Sequence, residues 1–263
     1  MPILDRAEYI EQAYLFRILA DRMEQQLATQ ELLASVRHEL LASTNLPLAI
    51  DFLSAELRLT GFFAPAMRKL AHYFTPFQTF CVAEAERERG KFDLNQALVI
   101  LAREAGYRAE NPSRQGLFLF QLECLCRNRL NYDRGLTAVA DDPFYDAAWR
   151  DWLIFVRRQV GFIDLADLIY ERSEFARQER LRRGVEQTED DIPAPLFGEK
   201  EGRIAAANRR RDPLLLFAAL HRHLGYPAVP VPNFHDRAPD LLPALVRRIE
   251  RLESRIKMLD EEQ

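Results

Sequence analysis

The 263-residue chain is 48% hydrophobic and 10% aromatic, enough apolar material for a sizeable core. Its formal net charge of −4 argues against sequence-independent nucleic-acid binding, which draws on many Lys and Arg contacts to phosphate. The longest run without Asp, Glu, Lys or Arg, Leu70 to Ala83, is too short for a membrane span and is interrupted by Pro76.

In chain order, apolar positions at helical spacing predict helices over 5–42, with a break near Thr29, then 46–59, 63–73, 76–89, 94–105, 113–130, 143–160, 162–183, 199–210, 213–224 and 240–262. No run alternates with period two in the manner of a strand. Four helix starts carry a capping side chain followed by proline: Thr75-Pro76, Asn111-Pro112, Asp142-Pro143 and Asp212-Pro213. Thr75 with Gln78, Asp5 with Glu8 and Asp93 with Gln96 have the spacing of a capping box. Gly106-Tyr107 and Gly225-Tyr226 read as helix ends, each a glycine suited to the left-handed cap before an aromatic. The expected fold is all-α, a multi-helix array or orthogonal bundle with a C-terminal coiled-coil helix.

Two segments divide this pattern. Gly184 to Leu196 is acidic with two prolines, and Tyr226 to Pro243 carries five. They imply a helical body over 1–183, a linker over 184–197, a two-helix unit over 198–226, a proline-rich strap over 227–239 and a terminal helix over 240–263. In that last helix Leu242, Ile249 and Ile256 occupy heptad position a, and Leu245, Leu252 and Leu259 occupy d. Ile at a with Leu at d favours a parallel pair. Arg248 and Arg255 fall at g, with Glu253 and Asp260 at e, so a parallel partner sets each arginine against a carboxylate. The tail therefore predicts self-association as a homodimer, or pairing with a related helical protein, the alternative being an amphipathic terminal helix folded back onto its own domain.

Signals for chemistry are sparser. Asp141, Asp142 and Asp146 spell a DDxxxD. In a mainly helical chain this resembles the aspartate-rich motif of prenyl and terpene synthases, which implies carboxylates holding magnesium ions that bind a diphosphate. No second metal motif of the Asn-Asp…Ser/Thr…Glu kind accompanies it. Leu98 to Tyr107 (LVILAREAGY) is similar to helices of tetratricopeptide-type arrays, though no fixed period follows. Asp164, Asp167, Glu171 and Glu174 share one arc at helical spacing, a solvated face that arginines from a neighbouring helix would neutralise. Arg209, Arg210 and Arg211 with Arg180, Arg182 and Arg183 read as helix-end charges or a basic patch.

The five histidines form no set: His221 and His223 point to different helix faces, and His38, His72 and His235 are scattered. Phe62, Phe63, Phe74, Phe77 and Phe80 read as core at the turn into the 76–89 helix. Three cysteines, Cys81, Cys124 and Cys126, suit neither a disulfide framework nor a zinc knuckle. With a start, Met1-Pro2-Ile3-Leu4-Asp5, that lacks a basic and apolar leader, they point to the cytoplasm. The expectation is a non-catalytic interaction or scaffold protein, without cofactor, nucleic-acid or membrane partner. The alternatives are a magnesium-dependent enzyme at the DDxxxD and a helical peptide-binding module, which predicts an uncovered apolar groove.

Overall fold

The computed structural model describes residues 3–23, 29–41, 43–87, 92–183 and 194–231, and these are all-helical: thirteen helices and no named strand. A first compact unit runs from Met1 to Pro230 and a second from Val231 to Gln263, the stretch over which the sequence predicts the coiled coil. The seam from Leu242 to Asp260 lies outside the described residues, as does the strap beyond Val231.

The N-terminal half is built on α1 (Arg6–Met23), which lies along α6 (Leu94–Ala109) in the most extensive helix pairing among the described residues. Leu15, Phe16, Leu19 and Ala20 on one side meet Ala97, Leu98, Leu101 and Ala105 in a common core. Gly106 lies inside α6, which continues to Ala109, so it is not the helix end that its glycine-aromatic sequence suggested. A Cβ at Gly106 would stand 3.9 Å from that of Ala13, an ordinary contact. Replacing it with alanine is therefore expected to stabilise the protein by up to about 1 kcal/mol, since the helical backbone then loses less freedom on folding. Urea unfolding of Gly106→Ala checks this; a loss of stability would show the α1–α6 contact to be tighter than it stands here.

Between these helices come α2 (Thr29–Arg37), α3 (Leu46–Thr60), α4 (Phe63–Lys69) and α5 (Pro76–Ala85). The first turns of α3 and α4 are completed from outside. Glu8 of α1 accepts the Asn45 N–H at 2.7 Å and its Nδ2 at 2.9 Å, while Glu86 accepts the N–H groups of Phe63 and Ala64. The Asp5-Glu8 capping box is thereby displaced, because Glu8 is buried and engaged with α3. Thr75 and Gln78 do form a reciprocal capping box at the start of α5.

Helix α7 (Arg114–Arg127) is buried on nearly all sides, with Leu117 through Leu125 inside the protein, so the rest packs around it. Its cap is Ser113 rather than Asn111. Helix α8 (Tyr132–Ala140), absent from the sequence reading, follows an Asn131 cap. Gly135 in its first turns discourages a helix locally, yet a Cβ there would lie 2.5 Å from Leu125, so glycine is what lets α8 approach α7. The next helix, α9 (Ala147–Gln159), starts from Asp146, not from Asp142-Pro143.

The stretch expected as one helix over 162–183 is two: α10 (Leu165–Glu171) and α11 (Glu174–Arg182). The break exists because a distant segment uses its backbone. Leu196 and Phe197 both donate N–H to the Arg172 carbonyl, and Glu174 donates to the Phe197 carbonyl at 2.9 Å. Ser173 then caps α11. The chain ends its first unit with α12 (Glu199–Asn208) and α13 (Pro213–Leu224), capped by Asp212 and closed by Gly225 at φ 67° as expected. Helix α12 packs on α10 and α11, and α13 on α7. Residues after α13 lie on the body: the Tyr226 hydroxyl donates to Glu123 at 2.7 Å, and Asn128 donates to the Pro230 carbonyl at 3.2 Å.

Candidate functional site

The DDxxxD does not converge. Asp141 ends α8 and lines a surface pocket of about 400 Å³ beside α5. Asp142 is fully buried; it pairs with the Arg108 guanidinium and accepts the Phe144 N–H. Asp146 caps α9 and pairs with Arg114 at 2.9 Å. Among the described residues no group of three His, Cys, Asp or Glu side chains is placed to hold a metal ion.

Asp142 instead belongs to a buried polar network that the sequence reading missed. Arg108 donates to Glu104 through Nε at 3.0 Å and a terminal nitrogen at 2.8 Å, closing an ion pair in which both partners are almost fully buried. Glu104 also accepts from Gln78 at 3.0 Å and from Gln121 at 3.1 Å, and Gln121 accepts the Tyr145 hydroxyl at 2.9 Å. Gln78 donates to Gln12, whose amide donates to the Tyr73 carbonyl, and the Tyr73 hydroxyl donates to Glu8 at 2.6 Å. Burial first, then that bond to Glu8, pushes the Tyr73 phenol up. Four helices are thus pinned in register by side chains whose hydrogen bonds face inward. The legible signal was a lone polar residue within an apolar run, such as Gln78 in PFQTFCV or Gln121 in LFQLEC.

The remaining sequence candidates take structural roles. Asp164 caps α10 and accepts the Arg210 N–H at 2.6 Å, Asp167 pairs with Arg209 at 2.7 Å, Glu171 with Arg180, and Glu174 with Arg177 at 3.7 Å. The acidic arc and part of the arginine group therefore answer one another. His221 packs edge-on against Tyr226, and His223 lies 3.2 Å from Glu201. His38 and His72 are exposed. Burial pushes the thiols of Cys81 and Cys124 well up, and that of Cys126 less so, which leaves them poor nucleophiles. Phe63, Phe74, Phe77 and Phe80 are buried, while Phe62 is half exposed.

One recess has a different character. A pocket of about 510 Å³ lies between α9 and α10, within the usual range for ligand sites. Its apolar wall is Trp152, Phe155, Ile163 and Leu168. Trp152 is fixed from behind by an aromatic cluster, with ring centroids 5.1 Å from Phe118, 5.4 Å from Trp149 and 5.2 Å from Phe197. The turn after α9 carries Phe162, 88% exposed, next to the lining residue Ile163, and Phe155 is 46% exposed. The chain matches no protein-family model, no curated protein and no solved structure.

The polar residues on this rim are Asp151, Asp167, Glu171, Arg172 and Arg180. Two of the carboxylates are already neutralised, Asp167 by Arg209 and Glu171 by Arg180. Sequence periodicity could not single out Arg172, because it sits at the α10–α11 break made by Leu196 and Phe197. No described helix is long and apolar enough to cross a membrane.

Proposed function

We propose that this protein is a non-catalytic interaction module that seats an apolar segment of a partner in the α9–α10 pocket. The observation that carries the reading is an apolar-lined recess in which Phe155 and Ile163 are exposed over the buried Trp152 and Leu168, with the exposed Phe162 next to Ile163 in sequence. Contiguous apolar surface left bare in a folded protein marks a contact site, and apolar side chains spaced along a helix are the usual complement to such a groove. The side chains that chemistry would require are otherwise engaged: Asp142 with Arg108, Asp146 with Arg114, and the Cys81 and Cys124 thiols in the core.

The C-terminal seam adds self-association to this reading. Leu242, Leu245, Ile249, Leu252, Ile256 and Leu259, flanked by Arg248, Glu253, Arg255 and Asp260, have the pattern of a parallel pair of helices. A homodimer would present the pocket twice, in a reducing, cytoplasmic setting that suits free cysteines. Sedimentation of the full chain against a chain ending at Asp240 tests the tail: the first is expected at twice its formula mass and the second at its own. Equal monomeric masses would remove self-association and leave the pocket untouched. The pocket is tested with an amphipathic, leucine-rich helical peptide, whose addition is expected to shift tryptophan emission in the parent chain and not in Ile163→Asp. The same shift in both would place the contact elsewhere.

A further inference from the structure

Two hydrogen-bond donors on residues of the α9–α10 pocket lack acceptors. Trp152 is 3% exposed, and its Nε1–H is buried without a partner; the Nε of Arg172 is likewise buried and unanswered. Burial alone pulls the Arg172 guanidinium below its ordinary value, with no carboxylate opposing the shift. Arg180 and Arg209 each have a carboxylate beside them, Glu171 and Asp167, although the Arg209 Nε is also buried without an aligned hydrogen bond. A donor buried without an acceptor is costly, and a guanidinium is shaped to take a carboxylate with two parallel bonds.

The surroundings restrict what brings that acceptor. Besides Arg172, Arg180 and the carboxylates of Asp151, Asp167 and Glu171, the lining is apolar, so the ligand is apolar next to its charge. Phe162, next in sequence to the lining residue Ile163, is also exposed; a compact molecule inside the pocket would leave it so, and a polypeptide segment reaching beyond the pocket would cover it. Resting on the docking function proposed above, we infer that the partner segment is acidic: a large apolar side chain enters the pocket, and an adjacent Asp or Glu carboxylate pairs with Arg172.

The test uses the full chain with Trp149→Phe, which leaves Trp152 as the sole indole reporter, since the sequence has two tryptophans. Probes are blocked helical peptides of about three turns with a Leu and Phe stripe. One series carries a single Glu at successive positions beside the stripe, and a matched series carries Gln. At least one Glu peptide is expected to bind about tenfold more tightly than its Gln counterpart, the scale of one charge-assisted hydrogen bond. Arg172→Gln should erase that difference without changing the Gln peptide's affinity, and Arg172→Lys should restore part of it. Phe162→Ser, an exposed change, should weaken both series alike.

Equal affinities for Glu and Gln peptides, with both weakened by Phe162→Ser, would overturn the acidic partner and leave the docking site standing. No binding by either series would remove both. A Glu preference that survives Arg172→Gln would place the carboxylate elsewhere and overturn the assignment. Free 3-phenylpropionate binding as tightly as the best peptide would assign the site to a small acid instead. A preference that emerges only after Glu186, Glu189, Asp190 and Asp191 are neutralised would assign Arg172 to the chain's own acidic segment.

Discussion

Replacing Arg108 with methionine is expected to destabilise the protein by about 3–5 kcal/mol, the usual penalty for stranding a buried charge. Arg108 is 3% exposed at its side chain and faces two fully buried carboxylates, Glu104 and Asp142. Removing the guanidinium leaves both without their cation, and neither has water at hand to compensate. A chain of this size should then melt roughly 10 °C lower. Thermal and urea unfolding followed by circular dichroism would measure it. The companion variant Arg108→Met with Glu104→Gln and Asp142→Asn separates charge from packing: it should recover much of the loss, because no charge is then stranded. A single-variant loss below about 1 kcal/mol would mean that the network is far less dry than its burial implies.

Truncating Phe118 to alanine is the second large effect, expected at about 3–5 kcal/mol. Its ring is fully buried on α7 and lies against Trp152 at 5.1 Å, Trp149 at 5.9 Å and Phe197 at 6.4 Å, so deletion opens a cavity where α7, α9 and the Phe197 segment meet. Loss of the edge-on ring contacts adds about 0.5–1.5 kcal/mol for each pair weakened. Trp152 forms the floor of the pocket as well, so the same variant should loosen that wall and broaden tryptophan emission before the protein unfolds. Urea titration gives the stability. A cost under about 1.5 kcal/mol would show that α9 and the Phe197 segment collapse to fill the space.

Local code was legible wherever one element decides its own boundary. Thr75 with Gln78, and Asp212-Pro213 through Gly225, carry all the groups needed to start or stop their helices, and the structure uses them so. It failed where a distant residue supplies the deciding group. Asn111-Pro112 and Asp142-Pro143 look alike in sequence, but Asn111 takes a left-handed φ of 53° and Asp142 turns inward to Arg108, leaving Ser113 and Asp146 as caps. The α10–α11 break depends on backbone bonds from Leu196 and Phe197, more than twenty residues on, and no periodicity announces it. Helix α8 was lost because Gly135 weighs against a helix until Leu125 is seen to need the room.

The same division holds for the site. The arginine neutralisation of the acidic residues at 164–174 was legible, since like charges at helical spacing demand a counterpart that Arg177, Arg180 and Arg209 supply in part, but the single arc was not, because Glu174 begins a separate helix, α11. The pocket could not be read, because its wall joins Trp152 and Phe155 of α9 to Leu168 and Arg172 across a turn. Hydrophobic spacing marks which face of each helix is apolar and says nothing of where two such faces leave a gap between them.

The remote completion of α3 and α4 bears on how the molecule assembles. Neither helix closes its first turn until Glu8 or Glu86 arrives from another part of the chain, so an isolated fragment spanning 43–73 would fray at both starts. Docking of α1 and α5 is therefore a condition of local order there, which couples the amide exchange of those turns to the release of their neighbours.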